Sequence, residues 1–274
     1  MEINRSNIND IIKKLNLFPD KDYGQNFLID SLLANRIVNE LKIDGNDTIL
    51  EIGPGLGSLT HFLLLPKVNI DVVDIDSRMT LFLNRAYADC PHLKIINDDI
   101  RNIDVSHYSK IIGNLPYNIT TELITYLVMN ATNCHQYLLM CQAEAFSRFS
   151  DMTGKNYGPI SVLIHLLGNS KKILTVKPGS FYPSPKCNSV VFNITINNVM
   201  NRKDYLSTYL LCKQLFLNRR KTILNNLTSY LKDRNLAQKV CFDAHIECDR
   251  RPEQICPKEY FDLYQVLSAN GNMK

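Results

Sequence analysis

Between residues 48 and 142, short apolar runs rich in β-branched residues alternate with longer stretches of helical periodicity, and no other feature restricts the fold as much. The runs are Thr48–Ile52, Ile70–Asp74, Lys94–Asn97, Lys110–Gly113 and Tyr137–Gln142, and most end on or against Gly, Asp or Asn. Strands covered on both faces have this composition, and strand–helix alternation builds a parallel sheet flanked by helices. The expected fold class is therefore α/β, a doubly wound sheet. Upstream, Leu33, Ile37 and Leu41 repeat at helical spacing behind Asp30, which predicts an amphipathic helix over 31–41 with Asp30 as its N-cap. Downstream, Lys172–Val176 and Ser189–Ile196 read as two more strands around Pro178, Pro183 and Pro185, expected as an antiparallel edge pair. Beyond a polar bridge at Asn197–Arg202 the apolar spacing is helical, from Leu210 through Leu231. Two domains are expected, a sheet domain over 1–198 and a small all-helical domain over 199–274.

Composition narrows the function classes. No apolar run approaches the roughly 18 residues of a membrane span. The first twenty residues hold no apolar core segment and carry Glu2, Asp10 and Asp20, so a soluble, cytoplasmic protein with no membrane partner is expected. The eight cysteines form no C-x-x-C pair, which favours reduced thiols and no metal site. Residues 199–274 hold 13 basic and 8 acidic side chains, more than the whole net charge of +4. That excess suits a polyanionic partner, although a solvated helical surface would look the same.

The first run ends in Glu51-Ile52-Gly53-Pro54-Gly55-Leu56-Gly57. Glycines at this spacing permit a sharp strand-to-helix turn and close approach of a ligand to the backbone. Asp74 ends the second run, where a carboxylate can accept from ribose hydroxyls. The G-x-G-x-G spacing differs from the G-x-G-x-x-G of dinucleotide binders and leans toward S-adenosylmethionine. Asp98 and Asp99 follow the third run; one can accept from an adenine amino group while the other caps the next turn.

Gly113-Asn114-Leu115-Pro116-Tyr117 follows the fourth run. An exocyclic aromatic amine is a poor nucleophile because its lone pair is delocalised into the ring. An Asn oxygen and a backbone carbonyl, both accepting from the amine hydrogens, can hold the nitrogen and free that lone pair. Pro116 removes a competing N–H, and Tyr117 offers a face for a base. Catalysis of this kind is positioning and electrostatics rather than strong base chemistry.

With these segments, the chain resembles the ribosomal RNA adenine N6-dimethyltransferases over about residues 23–267. The ordered motifs are Gly24-Gln25-Asn26-Phe27-Leu28, the Glu51–Gly57 turn, Asp74, Asp98-Asp99, Asn114–Tyr117, Tyr157-Gly158, Phe181-Tyr182-Pro183-x-Pro185-Lys186, Asn218–Thr222 and Arg251-Pro252-Glu253. The resemblance implies a Rossmann-like S-adenosylmethionine-dependent methyltransferase sheet with a small helical RNA-binding domain. It implies that Gln25, Asn26, Leu28, Glu51, Gly53 and Gly55 surround the methionine end of S-adenosylmethionine. Asp74 would take the ribose, and Asp99, beside Asp98, the adenine. Asn114, Leu115, Pro116 and Tyr117 would hold the target adenine, with Phe181 stacking on its other face, although Phe181 also reads as a core aromatic. Arg219, Arg220 and Lys221 would contact RNA, or form a solvated basic helix end. The implied reaction is N6-dimethylation of two adjacent adenosines in the 3′-terminal hairpin loop of small-subunit rRNA during ribosome biogenesis, by a monomer acting on the pre-small subunit. The alternatives are a large-subunit rRNA methyltransferase conferring antibiotic resistance, a DNA adenine methyltransferase, and a non-catalytic RNA-binding assembly factor.

Overall fold

The computed structural model describes residues 2–15, 25–66, 68–116, 119–198, 201–269 and 271. Gly24 and Tyr117 lie outside the described residues. The chain divides into two compact units, one of residues 1–146 and 171–194, the other of 147–170 and 195–274.

The first unit carries the sheet. Its elements are α1 (Ile8–Leu15), β1 (Phe27–Leu28), α2 (Ser31–Asn39), β2 (Ile49–Ile52), α3 (Thr60–Leu63), β3 (Ile70–Asp74), α4 (Ser77–Ala86), β4 (Leu93–Asn97), β5 (Lys110–Asn114), α5 (Thr120–Asn130) and β6 (Gln136–Gln142). After α6 (Ala143–Ser150) and α7 (Pro159–Leu167) come β7 (Gly168–Val176), β8 (Phe181–Tyr182) and β9 (Ser189–Ile196). The sheet order is β4-β3-β2-β5-β6-β9-β7. Strands β2 to β6 pair in parallel, and each expected apolar run is one of them. Leu50, Val72, Ile111 and Ile112 are completely buried, which explains why the runs are apolar throughout rather than alternating. Asp30 does cap α2, accepting from the Leu33 amide at 3.1 Å.

Order reverses at β2, whose neighbours are β3 and β5, so the crevice above its carboxyl end is where a doubly wound sheet holds ligands. Register brings the chemistry there. Ile52 sits opposite both Val73 and Gly113, placing Gly53, Asp74 and Asn114 side by side at one edge. Gly113 allows this approach, because a Cβ on it would lie 2.7 Å from the Ile52 carbonyl oxygen.

A feature without periodicity in the sequence is the pairing of β1 with β8, antiparallel, with Phe27 opposite Tyr182 and Leu28 opposite Phe181. Two-residue strands are too short to show a pattern. This ribbon fixes Gln25–Leu28, helped by the Ile29 amide on the Ser180 carbonyl (2.8 Å) and the Ser58 hydroxyl on the Leu28 carbonyl (2.5 Å).

The second unit contains α7 and the helices α8 (Arg202–Leu215), α9 (Ile223–Leu231), α10 (Arg234–Asp243) and α11 (Pro257–Ala269). Its core gathers Tyr157 and Val162 with Leu211, Cys212, Ile223 and Tyr260. The structure therefore differs from a boundary near residue 198: 147–170 cluster with the C-terminal helices because Tyr157 and α7 bury their apolar faces among them. None of the eight cysteines forms a disulfide.

Candidate active site

At the carboxyl edge of β2, β3 and β5 lies a cavity of about 220 Å³. Its lining includes Gln25, Asn26, Gly53, Gly55, Asp74, Asp98, Asp99, Asn114, Leu115 and Pro116, so most of the expected cofactor and substrate residues are brought together. A smaller hollow of about 30 Å³ shares Asn26, Gly53, Gly55 and Asn114 with it and adds Leu28 and Glu51.

The glycine turn is left-handed at Gly53, Gly55 and Gly57, with φ of 63°, 54° and 83°. Gly55 is the tightest of those facing the cavity: a Cβ there would meet the Phe27 ring at 3.0 Å, besides the cost of left-handed backbone for any other residue. Its amide donates to Asp74 Oδ2 at 3.3 Å, and the Asp76 amide donates to Asp74 Oδ1 at 2.9 Å. Burial pushes the Asp74 carboxyl up to about 6, against the pull of those two amides. Glu51 is only 1% exposed and accepts from the Thr60 hydroxyl at 2.6 Å. Burial drives its carboxyl to about 8, with the Asp74 charge adding to the effect.

Gln25 Nε2 donates to Asp76 Oδ2 at 2.7 Å, and Arg78 grips the same carboxylate through Nε (2.9 Å) and Nη2 (2.6 Å). Although burial opposes it, these hydrogen bonds hold Asp76 below the usual carboxylate range. Asp99 caps the turn at Ile100–Asn102 by accepting from the Arg101 amide at 2.9 Å, and its carboxylate is also bound by the Arg101 guanidinium, which lowers its pKa. Asp98 Oδ1 accepts from the Asp99 amide (2.7 Å) and Asn102 Nδ2 (2.8 Å). Cap and cavity wall are thus combined in Asp99, whereas the sequence reading divided them between the two acids.

Asn114 closes β5. Its Nδ2 donates to the Asn26 carbonyl at 3.1 Å. Its Oδ1 is buried and has no hydrogen-bond partner among the described residues. A native buried acceptor is rarely left so, which marks Oδ1 as the receptor of a donor that binds there. The Leu115 amide donates to the Met140 carbonyl (3.0 Å), and the Pro116 carbonyl accepts from the Thr120 hydroxyl (2.9 Å), fixing the turn on both sides.

Two expectations change. Phe181 is 3% exposed, pairs with Leu28 and belongs to the core rather than to the lining of the cavity, because β8 turns its ring inward; the core-aromatic reading is the one observed. Arg219 is held inside its own unit by Glu253 (3.8 Å), the Gly154 carbonyl (3.3 Å) and the Phe216 ring (5.5 Å), while Arg220 and Lys221 are exposed. Ile75, Ile100, Arg101, Ile119 and Leu123 also line the cavity. The only sequence signal for the first three is that each directly follows an acidic strand end or sits on the turn behind it.

The site suits S-adenosylmethionine on three counts: an orphaned acceptor beside the glycine turn, a left-handed cradle that Cβ atoms would fill, and carboxyl groups for hydroxyls and positive charge. A family model described as ribosomal RNA adenine dimethylase matches residues 18–268. Ribosomal RNA small subunit methyltransferase A of Malacoplasma penetrans is 34% identical over 268 residues, covering 93% of this chain and 96% of that protein. The protein of the same name from Francisella tularensis subsp. novicida is 33% identical, covering 90% and 97%. Among solved structures, a dimethyladenosine transferase from Plasmodium falciparum superposes with a TM-score of 0.78 at 24% identity, over 89% of this chain and 98% of that one. The 23S rRNA methyltransferase ErmE superposes at 0.69 with 18% identity, over 89% and 100%. These two likenesses establish a fold shared with rRNA methyltransferases.

Proposed function

This chain belongs to the ribosomal RNA adenine dimethylase family, and from that premise we propose that it dimethylates N6 of two adjacent adenosines in the 3′-terminal hairpin loop of small-subunit rRNA, using S-adenosylmethionine. The observation that carries the reading is the buried Asn114 Oδ1, unpartnered beside the glycine turn. The names of the relatives, which specify the small ribosomal subunit, support the choice of substrate over large-subunit rRNA. No helix among the described residues is long and apolar enough to cross a membrane; we take the working form to be a monomer that meets the pre-small subunit in the cytoplasm.

When bound, S-adenosylmethionine supplies an electrophilic methyl group on a positively charged sulfur. Glu51, Gly53, Gly55, Asn26 and Gln25 would bind its methionine end, and Asp74 would bind its ribose. Asp98 and Asp99 would receive its adenine, Ile75 and Ile100 offering apolar contact. Asn114 Oδ1 and the Leu115 carbonyl would accept the two hydrogens of the target amine, leaving the nitrogen lone pair free to attack. An Asn amide does not take up a proton, so the proton departs to solvent after transfer. Pro116 keeps the turn rigid and free of a competing donor; Tyr117, outside the described residues, is expected from the sequence alone to offer a stacking face. Arg220 and Lys221, exposed, hold RNA phosphates.

The test is mass spectrometry of rRNA fragments after incubation with enzyme and labelled S-adenosylmethionine, offering small-subunit precursors and large-subunit rRNA. Paired dimethyladenosines in the small-subunit hairpin support the reading. Label confined to large-subunit rRNA, or RNA binding without any transfer, overturns it.

A further inference from the structure

Glu51 lies within β2, two residues before the glycine turn, and is almost completely buried. A buried carboxyl needs donors, and here one side chain supplies one. The Thr60 hydroxyl donates to Oε2 at 2.6 Å. Thr60 is itself completely buried at the start of α3. The titratable neighbours are Asp74 at the end of β3 and Tyr87 behind α4; no described lysine, arginine or histidine pairs with Glu51. Yet Glu51 borders the hollow formed with Asn26, Gly53, Gly55 and Asn114.

An acid buried without a cation keeps its proton. In the cofactor-free protein burial pushes the Glu51 carboxyl up to about 8, and the Thr60 hydroxyl pulls it back toward ionisation. A neutral acid is a poor receptor for positive charge; a carboxylate with fixed orientation is a good one.

We propose that Thr60 is a positioning residue for cofactor capture: its hydroxyl orients the Glu51 carboxyl and favours its anion, so that the cationic methionine end of S-adenosylmethionine binds against a carboxylate and a proton is expelled on binding. This rests on the methyltransferase reading of the cavity.

The experiment is calorimetric titration of the full chain with S-adenosylmethionine in buffers of different ionisation enthalpy, at pH values on either side of the Glu51 value of about 8. Proton release is expected below that value in the parent and should be absent from Glu51→Gln, whose comparison cancels the titration of the cofactor's own α-amino group. Thr60→Val keeps the shape and removes the hydroxyl. Its affinity at neutral pH should fall about tenfold relative to the parent, the order expected for a hydrogen bond to a charged group, and this ratio should narrow at high pH. Thr60→Ser should bind within about twofold of the parent, and kcat at saturating cofactor should hardly move in either variant.

The proposal is overturned if the parent protein, at neutral pH, releases no more protons on binding than Glu51→Gln. It is equally overturned if Thr60→Val matches Thr60→Ser at every pH, or lowers kcat while leaving affinity unchanged. Should Thr60→Val fail to fold, the buffer dependence of the parent and of Thr60→Ser still decides. No binding by the parent at any pH would instead sink the methyltransferase reading itself.

Discussion

Asn114→Ala separates the two jobs of one amide. Its Nδ2 tethers the Asn26 carbonyl at 3.1 Å, and losing a neutral hydrogen bond of that kind costs about 0.5–1.5 kcal/mol. Its Oδ1 is a buried acceptor with no partner, and such a group costs about 1–3 kcal/mol, which alanine relieves. The two effects offset. The variant should be as stable as the parent or more stable by about 1 kcal/mol, a rise in Tm of roughly 2–4 °C for a chain of a couple of hundred residues. Catalysis should move the opposite way. In the proposed reaction Oδ1 accepts from an amine on which positive charge develops during transfer, and one preorganised hydrogen bond to developing charge is worth about 10²–10³ in kcat. Cofactor affinity should fall by at most about tenfold, through the lost tether. The assays are single-turnover transfer of labelled methyl groups to small-subunit rRNA, calorimetric cofactor binding and thermal unfolding. Retention of more than about a tenth of parental kcat, where a loss of 10²–10³ is expected, would refute the reasoning. So would a loss of activity that merely tracks a falling Tm.

Gly55→Ala forces a side chain into left-handed backbone and against the Phe27 ring, 3.0 Å away; cofactor Kd should rise about tenfold or more, whereas Gly53→Ala, whose Cβ meets nothing nearer than 3.7 Å, should show the backbone cost alone. Replacing Arg220 and Lys221 by Ala should weaken RNA binding and reduce its salt slope by about 1 per residue, with Tm unchanged. Arg219→Ala should instead lower Tm, because it breaks the contacts to Glu253, Gly154 and Phe216. The pH dependence of stability follows from Glu51, raised from 4.5 to about 8. The native state keeps a proton that the unfolded chain releases, so this contribution is complete below pH 4.5 and is lost as pH rises through 8. Asp74, raised from 3.8 to about 6, acts with the same sign at lower pH. A falling Tm of the cofactor-free protein above pH 6 should therefore disappear in Glu51→Gln, as thermal scans across that range would show.

The strands were legible because doubly covered strands must be apolar along their whole length; β3 and β9 match the sequence reading residue for residue. The polar site was legible for a related reason. In a parallel sheet the residues just after the apolar runs share one edge, so Gly53, Asp74, Asp98 and Asn114 could be placed without knowing any contact. What lay beyond reach depends on contacts between distant segments. The β1–β8 ribbon joins residues about 150 positions apart through two-residue strands, and it is this ribbon that turns Phe181 into the core. Tyr157 and α7 carry an ordinary apolar pattern that suits either unit; only the packing partners assign them to the second. Thr60 looks like a common helix-start residue until its hydroxyl is found on Glu51.

Charge decides between the two ligand classes that a glycine turn can serve. Dinucleotide sites direct backbone amides at a pyrophosphate. Here the Gly55 amide is already given to Asp74, and Asp74, Asp98 and Asp99 line the space. Arg101 is the one cation among the described lining residues, and Asp99 neutralises it. Such a field repels phosphate and attracts a positively charged donor. The same field would repel an RNA backbone. In the proposed reaction the polymer is held by basic residues elsewhere, and residues 199–274 carry the excess of positive charge. The uncharged base that this reaction brings into the cavity must leave its stack, at a cost of a few kcal/mol that is smallest for a nucleotide already unpaired. In the proposed reaction, then, the acidic cleft and its orphaned amide acceptor select a loop adenosine by the same electrostatics that select its methyl donor.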